Sequence, residues 1–121
     1  MIITNELLVK SARNLVSAVF EDDMKRIISL MLSRNVSMIP IIPGGKQNKA
    51  LIRRKRIWKY MIENQQKLPE LDEMQEEPLP AVKVGDSLDD TLEKIRSNSA
   101  VLLEDEDGVF RKILTPKSVA E

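Results

Sequence analysis

The sequence repeats one pattern of apolar residues at an offset of roughly sixty positions, and this repetition limits the fold more than any other feature. Residues 22–31 match residues 86–95 in register, with helix-forming apolar positions aligned. Residues 50–53 match residues 112–115, which have strand character. Because strand order and turn positions repeat together with the helix pattern, the sequence predicts two copies of one supersecondary unit.

The first copy is predicted as strand, helix, strand, strand and helix. Apolar residues recur at helical spacing after Asp22, which is the predicted N-cap, and Ile28 is expected on the inner face of this helix. Pro-Gly-Gly at 43–45 predicts the turn between the second and third strands. The predicted elements are a strand at 15–20, a helix at 22–35, strands at 38–42 and 50–52, and a helix at 54–64.

The second copy follows a polar connection that contains three prolines. Its helix is predicted to start at Asp86 and to turn Leu88, Leu92 and Ile95 inward. The predicted elements are a strand at 81–84, a helix at 86–98, strands at 100–103 and 109–114, and a short helix from 115. The predicted division is therefore a first repeat at 1–64, a linker at 65–80 and a second repeat at 81–121.

Composition excludes several kinds of chemistry. The chain has no cysteine and no histidine, so it lacks thiolate chemistry and the commonest general base and metal ligand. The 19 basic and 19 acidic residues cancel, so global charge indicates neither nucleic acid nor a membrane as partner. No apolar run approaches the roughly 20 residues that span a bilayer. We therefore expect a cytoplasmic protein that is not an enzyme.

A repeated β-α-β-β-α unit of this length resembles the cystathionine-β-synthase-type (CBS) domain pair, or Bateman module, over nearly the whole chain. The resemblance implies an α/β fold with two small sheets in pseudo-twofold relation and their helices packed together. The matching segments are the strand 39–42, the entry turn 71–74, the strand and helix start 82–88, the hairpin turn 105–108 and the closing segment 113–115.

The resemblance also implies a ligand. Members of this family bind adenosine-containing molecules between the two repeats, so the implied cofactor is an adenine nucleotide such as AMP, ADP or ATP. In that binding mode an aspartate accepts hydrogen bonds from the ribose hydroxyls, and strand backbones enclose the adenine. The strand positions that the resemblance assigns to the ligand are Val16, Pro40, Val82, Val84 and Ala100.

The closing motif of the family, Gly-hydrophobic-x-Thr/Ser-x-x-Asp, is altered in both copies. Thr115 keeps the hydroxyl position of the second copy, but Ser118 stands where the aspartate is expected. In the first copy Arg53 and Arg56 replace the hydroxyl residue and the aspartate. Because guanidinium groups pair bidentately with phosphate, the sequence favours a phosphate-bearing ligand over one held by its ribose diol.

Alternative functions remain open at this stage. The basic run 53–59 is also typical of a solvated helix face, or of a nucleic-acid contact, although its few aromatic residues make nucleic acid an unlikely partner. The module would otherwise be a scaffold that binds no small molecule. A homodimer and a contact with an unknown target protein are expected. The acidic stretch 104–107 lacks the ligand spacing of a calcium loop, so no metal site is predicted.

Overall fold

Short helices and short strands are interspersed along residues 3–120, which are the residues that the computed structural model describes. The helices are α1 (Glu6–Val9), α2 (Met24–Arg34), α3 (Arg54–Glu63), α4 (Leu71–Met74), α5 (Leu88–Asn98) and α6 (Pro116–Ala120). The strands are β1 (Arg13–Asn14), β2 (Met38–Ile41), β3 (Ala50–Arg53), β4 (Ala81–Lys83), β5 (Val101–Glu104) and β6 (Phe110–Leu114). This order confirms the mixed α/β class.

The chain divides into two compact units at boundaries that differ from the predicted ones. The central unit comprises residues 16–78, and the C-terminal unit comprises residues 3–15 together with 79–120. The N-terminal segment, expected with the first repeat, instead joins the last strand, because Arg13 pairs with Ile113. Most of the predicted linker belongs to the central unit, since Glu76 bridges to Leu51 there.

The central unit is built on a hairpin in which β2 and β3 run antiparallel. Helix α2 starts because the carboxylate of Asp23, one position after the predicted cap, accepts a hydrogen bond of 2.9 Å from the Arg26 backbone N–H. The predicted strand at 15–20 is reduced to a single bridge between Ala18 and Ile41. Leu32, although it continues the apolar stripe at helical spacing in α2, is 62% exposed. The buried core residues include Met24, Ile27, Met31, Ile39, Ile52 and Ile57, with Ile28 packed at their edge.

The C-terminal unit contains a four-stranded sheet in the order β1-β6-β5-β4, in which only β4 and β5 run parallel. Helix α5 is capped by Ser87, whose hydroxyl accepts from the Asp90 backbone N–H, while Asp86 instead closes the preceding turn. Leu92 is 42% exposed, contrary to prediction, and the neighbouring Thr91 is fully buried. The core of this unit consists of Val82, Ile95, Val101, Leu103 and Leu114.

A buried asparagine outside the repeats ties the N-terminal segment to the turn before α5. Asn5 is fully buried, and its amide donates to the Lys83 carbonyl and the Thr91 hydroxyl, both at 3.0 Å. Its side-chain oxygen accepts from the Gly85 backbone N–H at 2.9 Å, and its own backbone N–H donates to the Asp86 carbonyl at 2.8 Å. Every polar group of this side chain is therefore engaged.

We predict that Asn5→Leu destabilises the protein by about 2 kcal/mol, because the buried Thr91 hydroxyl and the partly buried Gly85 N–H and Lys83 carbonyl lose their partner at once. Denaturant unfolding measures the change in the free energy of unfolding. Asn14→Leu is the matched control, since Asn14 lies in the same segment but its side chain makes an exposed bond to Lys112. Equal stability of the two variants would contradict a supporting role for the Asn5 network.

Candidate functional site

The strand β3 passes directly into helix α3 at Arg53, and buried neighbours fix this junction. Arg53 has an extended backbone, pairs with Met38 across the hairpin, and serves as the N-cap residue of α3. The next backbone N–H, that of Arg54, donates to the Ser37 carbonyl at 2.9 Å. Ile52 is completely buried on the strand side of the junction. The positions from which the basic side chains of the first turn project are therefore set by the core.

The start of α3 has the opposite charge from the one that helices favour. The side chain of its N-cap residue, Arg53, makes no capping hydrogen bond, and its first turn contains no acidic residue but does contain Arg54, Lys55 and Arg56. The partial positive charge of a helix N-terminus stabilises anions and repels cations. In contrast, α5 has a serine cap and two aspartates in its first turn. The start of α3 therefore concentrates positive potential that an anion would neutralise.

The cations of this segment are only partly neutralised within the chain. Arg53 Nε lies 3.6 Å from Glu76 Oε1, and the two side chains are 33% and 29% exposed. Arg56 donates to the Glu73 backbone carbonyl at 3.1 Å, which leaves the carboxylate of Glu73 uninvolved in that bond. Within the described part of the chain, Lys55 and Lys59 form no salt bridge. These contacts leave cationic groups facing water beside the helix start.

An open groove of about 440 Å³ borders the cationic segment. Arg56 and Lys59 supply its positive groups, and Tyr60 supplies a half-buried ring. Carboxylates also line it, so it is polar and mixed in charge. The residues around the groove are Arg56, Lys59, Tyr60, Glu63, Glu73 and Met74. It offers room for part of a phosphate-bearing molecule next to the start of α3.

The two hydroxyl residues of the second closing motif form a helix cap. The Thr115 hydroxyl accepts from the Ser118 backbone N–H at 3.1 Å, and the Ser118 hydroxyl accepts from the Thr115 backbone N–H at 2.9 Å. Ser118 is only 3% exposed and also donates to the Thr115 carbonyl. The fold thus uses both hydroxyls to start α6, and their contact with a ligand stays a prediction.

The strand positions assigned to the ligand differ in exposure. Pro40 is buried in the central unit, and its carbonyl accepts from the Ala18 backbone N–H at 3.0 Å. Val16 packs at the edge of the same core. In the C-terminal unit Val84 is 58% exposed, whereas Val82 and Ala100 are 2% and 0% exposed. Their role in holding a ligand stays a prediction.

The acidic stretch 104–107 forms a hairpin turn. The Asp105 carboxylate accepts from the backbone N–H groups of Asp107 and Val109, each at 3.0 Å, and pairs with Arg111. The Val109 N–H is the main cause that holds the pKa of Asp105 below its usual value. No group of three or more acidic side chains within residues 3–120 is arranged to hold a metal ion.

Neither the repeat nor its motifs indicate a role for Glu76 or Asn5. Glu76 lies in a generally acidic stretch, and its pairing partner, Leu51, is 25 positions away in the chain (76 minus 51). No local sequence pattern therefore indicates its contacts. Asn5 precedes the repeats and follows no periodic pattern. Both residues act through contacts that only the folded chain creates.

Comparisons with known proteins establish the fold. No protein-family model and no curated protein matches the sequence. A CBS domain protein from Shewanella oneidensis MR-1 aligns with a TM-score of 0.74 at 15% identity, covering 93% of each chain. The CBS domain of the bacterial CNNM/CorC family Mg²⁺ transporter aligns with a TM-score of 0.74 at 16% identity, covering 94% of this chain and 72% of that one.

A third similar structure, CBSX2 in complex with AMP, has a TM-score of 0.68 at 16% identity and covers 90% of this chain and 88% of that one. The chain therefore has the fold of the CBS domain proteins, which confirms the fold that the repeat and the motifs predicted. None of the helices between residues 3 and 120 is long and apolar enough to cross a membrane.

Proposed function

We propose that the chain is a regulatory, non-catalytic CBS module that binds a phosphate-bearing ligand through Arg53 and Arg56 and alters its contacts with a partner protein. The observation that carries this proposal is the uncapped, cationic start of α3. Such an arrangement is unfavourable in the free protein and becomes favourable when an anion binds. The resemblance to the CBS closing motif also assigns Arg53 and Arg56 to the two positions that would contact the ligand.

An adenine nucleotide is the leading ligand class. A protein of the same fold is known in complex with AMP, which supports an adenine nucleotide as the first candidate to test. The carboxylates that would read a ribose diol are replaced at Arg56 and Ser118, so adenosine without phosphate is expected to bind weakly. Hydrogen bonds to charged groups contribute about 1.5–3 kcal/mol each, so the phosphate supplies most of the binding energy.

We predict that ATP and ADP bind more tightly than adenosine, and that Arg53→Ala with Arg56→Ala weakens nucleotide binding by about tenfold or more for each arginine removed. Isothermal titration calorimetry measures both effects. The matched control is Lys25→Ala with Arg34→Ala, which removes the same charge from α2 of the same unit. If adenosine and ATP bind with equal affinity, and the double arginine variant binds them as the wild type does, the anion site is contradicted. The alternative of a scaffold that binds no phosphate-bearing ligand would then be favoured.

We further propose that the module forms a homodimer through the far end of α3. Ile62 is 82% exposed, and it lies with Trp58 and Met61 along an open groove of about 580 Å³. Exposed apolar surface of this kind is typical of an interaction site. In a two-fold contact the same face of α3 meets itself, so Trp58, Met61 and Ile62 would pack against the same residues of a second copy. The apolar character of this whole face favours a second copy as the occupant.

We predict that Ile62→Glu converts a dimer into a monomer, because it introduces a charge at the centre of the proposed contact. Light scattering at micromolar concentration gives the mass of each variant. Leu7→Glu is the control, since Leu7 is 81% exposed but lies in the C-terminal unit. A monomeric wild-type protein, or a dimer that survives Ile62→Glu, would contradict this interface.

A further inference from the structure

We propose that Glu76 is the specificity-determining residue of the anion site, because it acts as an internal anion that competes with small anions for Arg53. The ligand class that follows is a di- or triphosphate, in preference to a single phosphate group. This inference rests on the proposed function, since it concerns the same arginine. It is carried by the position of Glu76, the weakness of its contact with Arg53, and the state of its second oxygen.

The backbone places the Glu76 side chain beside Arg53. The Glu76 backbone N–H donates to the Leu51 carbonyl at 2.9 Å, and the Leu51 N–H donates to the Glu76 carbonyl at 3.1 Å. Leu51 and Arg53 project from the same face of β3 because side chains alternate along a strand. Residues diagonal to one another across paired strands remain within reach of long side chains. Backbone pairing therefore fixes the carboxylate of Glu76 near the guanidinium group of Arg53.

The contact between the two side chains is weak in its geometry. The 3.6 Å between Arg53 Nε and Glu76 Oε1 exceeds the 2.7–3.2 Å that N–H···O hydrogen bonds normally span. Both side chains are about one third exposed, and ion pairs near water contribute little stability. Glu76 thus neutralises Arg53 without using the full hydrogen-bonding capacity of the guanidinium.

The second oxygen of Glu76 makes its present position unfavourable. Glu76 Oε2 is buried and has no hydrogen-bond partner among residues 3–120. A buried acceptor without a partner is costly, and a buried oxygen of a carboxylate more so. Backbone pairing and charge attraction therefore keep Glu76 next to Arg53. The unpaired Oε2 would gain hydrogen bonds from water if the carboxylate moved into solvent. A ligand that binds Arg53 better releases Glu76 to solvent.

Competition from a tethered carboxylate selects by the contacts that a ligand makes without Arg53. A tethered group acts at a high effective concentration, so it weakens the binding of any anion that must displace it from Arg53. A polyphosphate has more acceptor oxygens, and it can also be held by Arg56 and the start of α3 while Arg53 stays paired with Glu76. Glu76 therefore weakens the binding of a single phosphate group, which depends on Arg53, more than that of polyphosphates.

The test compares inorganic phosphate with tripolyphosphate at fixed ionic strength, using calorimetry on the full chain. We expect Glu76→Gln to lower the Kd for inorganic phosphate by about fivefold, which is the largest effect expected from losing a partly exposed ion pair. The Kd for tripolyphosphate should fall by less. The preference for tripolyphosphate should therefore fall. Glu77→Gln is the matched control, because the neighbouring Glu77 is exposed. In an Arg53→Gln background the effect of Glu76→Gln should disappear, and this double-mutant cycle removes any contribution from altered folding.

Each outcome distinguishes this inference from the proposed function. If the wild type binds tripolyphosphate and Glu76→Gln leaves the preference unchanged, the role of Glu76 is wrong and the anion site stands. Weaker phosphate binding in Glu76→Gln also overturns the inference, because Glu76 would then be contacting the ligand. If the Glu76→Gln variant binds phosphate or tripolyphosphate and the wild type binds neither, competition by Glu76 is supported. The proposal that the wild-type protein binds a phosphate-bearing ligand is then overturned. If neither protein binds, both proposals fail.

Discussion

In both units a fully buried strand residue is followed almost at once by a helix, and this junction determines what the chain presents to solvent. Ile52 precedes α3 and Leu114 precedes α6, and both are 0% exposed. The core thus fixes where each helix begins. After Leu114 the chain satisfies the helix start itself, through the reciprocal bonds of Thr115 and Ser118. After Ile52 no side chain does so, and basic residues crowd the positive end of the helix. The two helix starts therefore differ: one is satisfied by its own hydroxyl groups, and the other is cationic and is not capped by its N-cap side chain.

Much of the fold could be predicted from the sequence, because the repeated helices carry their core residues at helical spacing. Ile27 and Thr91 occupy matching positions, and both are completely buried. The predicted caps were one position early in each copy, since adjacent polar residues before a helix compete for the same role. The exposure of Leu32 could not be predicted, because periodicity defines an apolar stripe but not how much of it the neighbouring strands cover. The attachment of residues 3–15 to the C-terminal unit depends on distant pairing that leaves no local pattern.

The candidate site was predictable to a similar degree. Arg53 and Arg56 were identified because they interrupt a recognisable motif, and the structure places both at the start of α3. Their partners were not identified, since Glu76 and the Glu73 carbonyl approach from a segment that looked like a linker. These partners change the interpretation of the basic run. Arg53 is not a free cation but lies beside a carboxylate, so an anion that binds Arg53 would have to displace Glu76.

The central claim is that an anion binds at the start of α3, and the most direct measurement is an NMR titration of backbone amides with tripolyphosphate. We expect the largest, saturable chemical-shift changes at residues 53–56, where the helix start and the arginines meet, together with a change at Glu76 as its carboxylate leaves Arg53. Shifts confined to Thr115 and Ser118, or weak changes spread over all basic residues without saturation, would contradict the account.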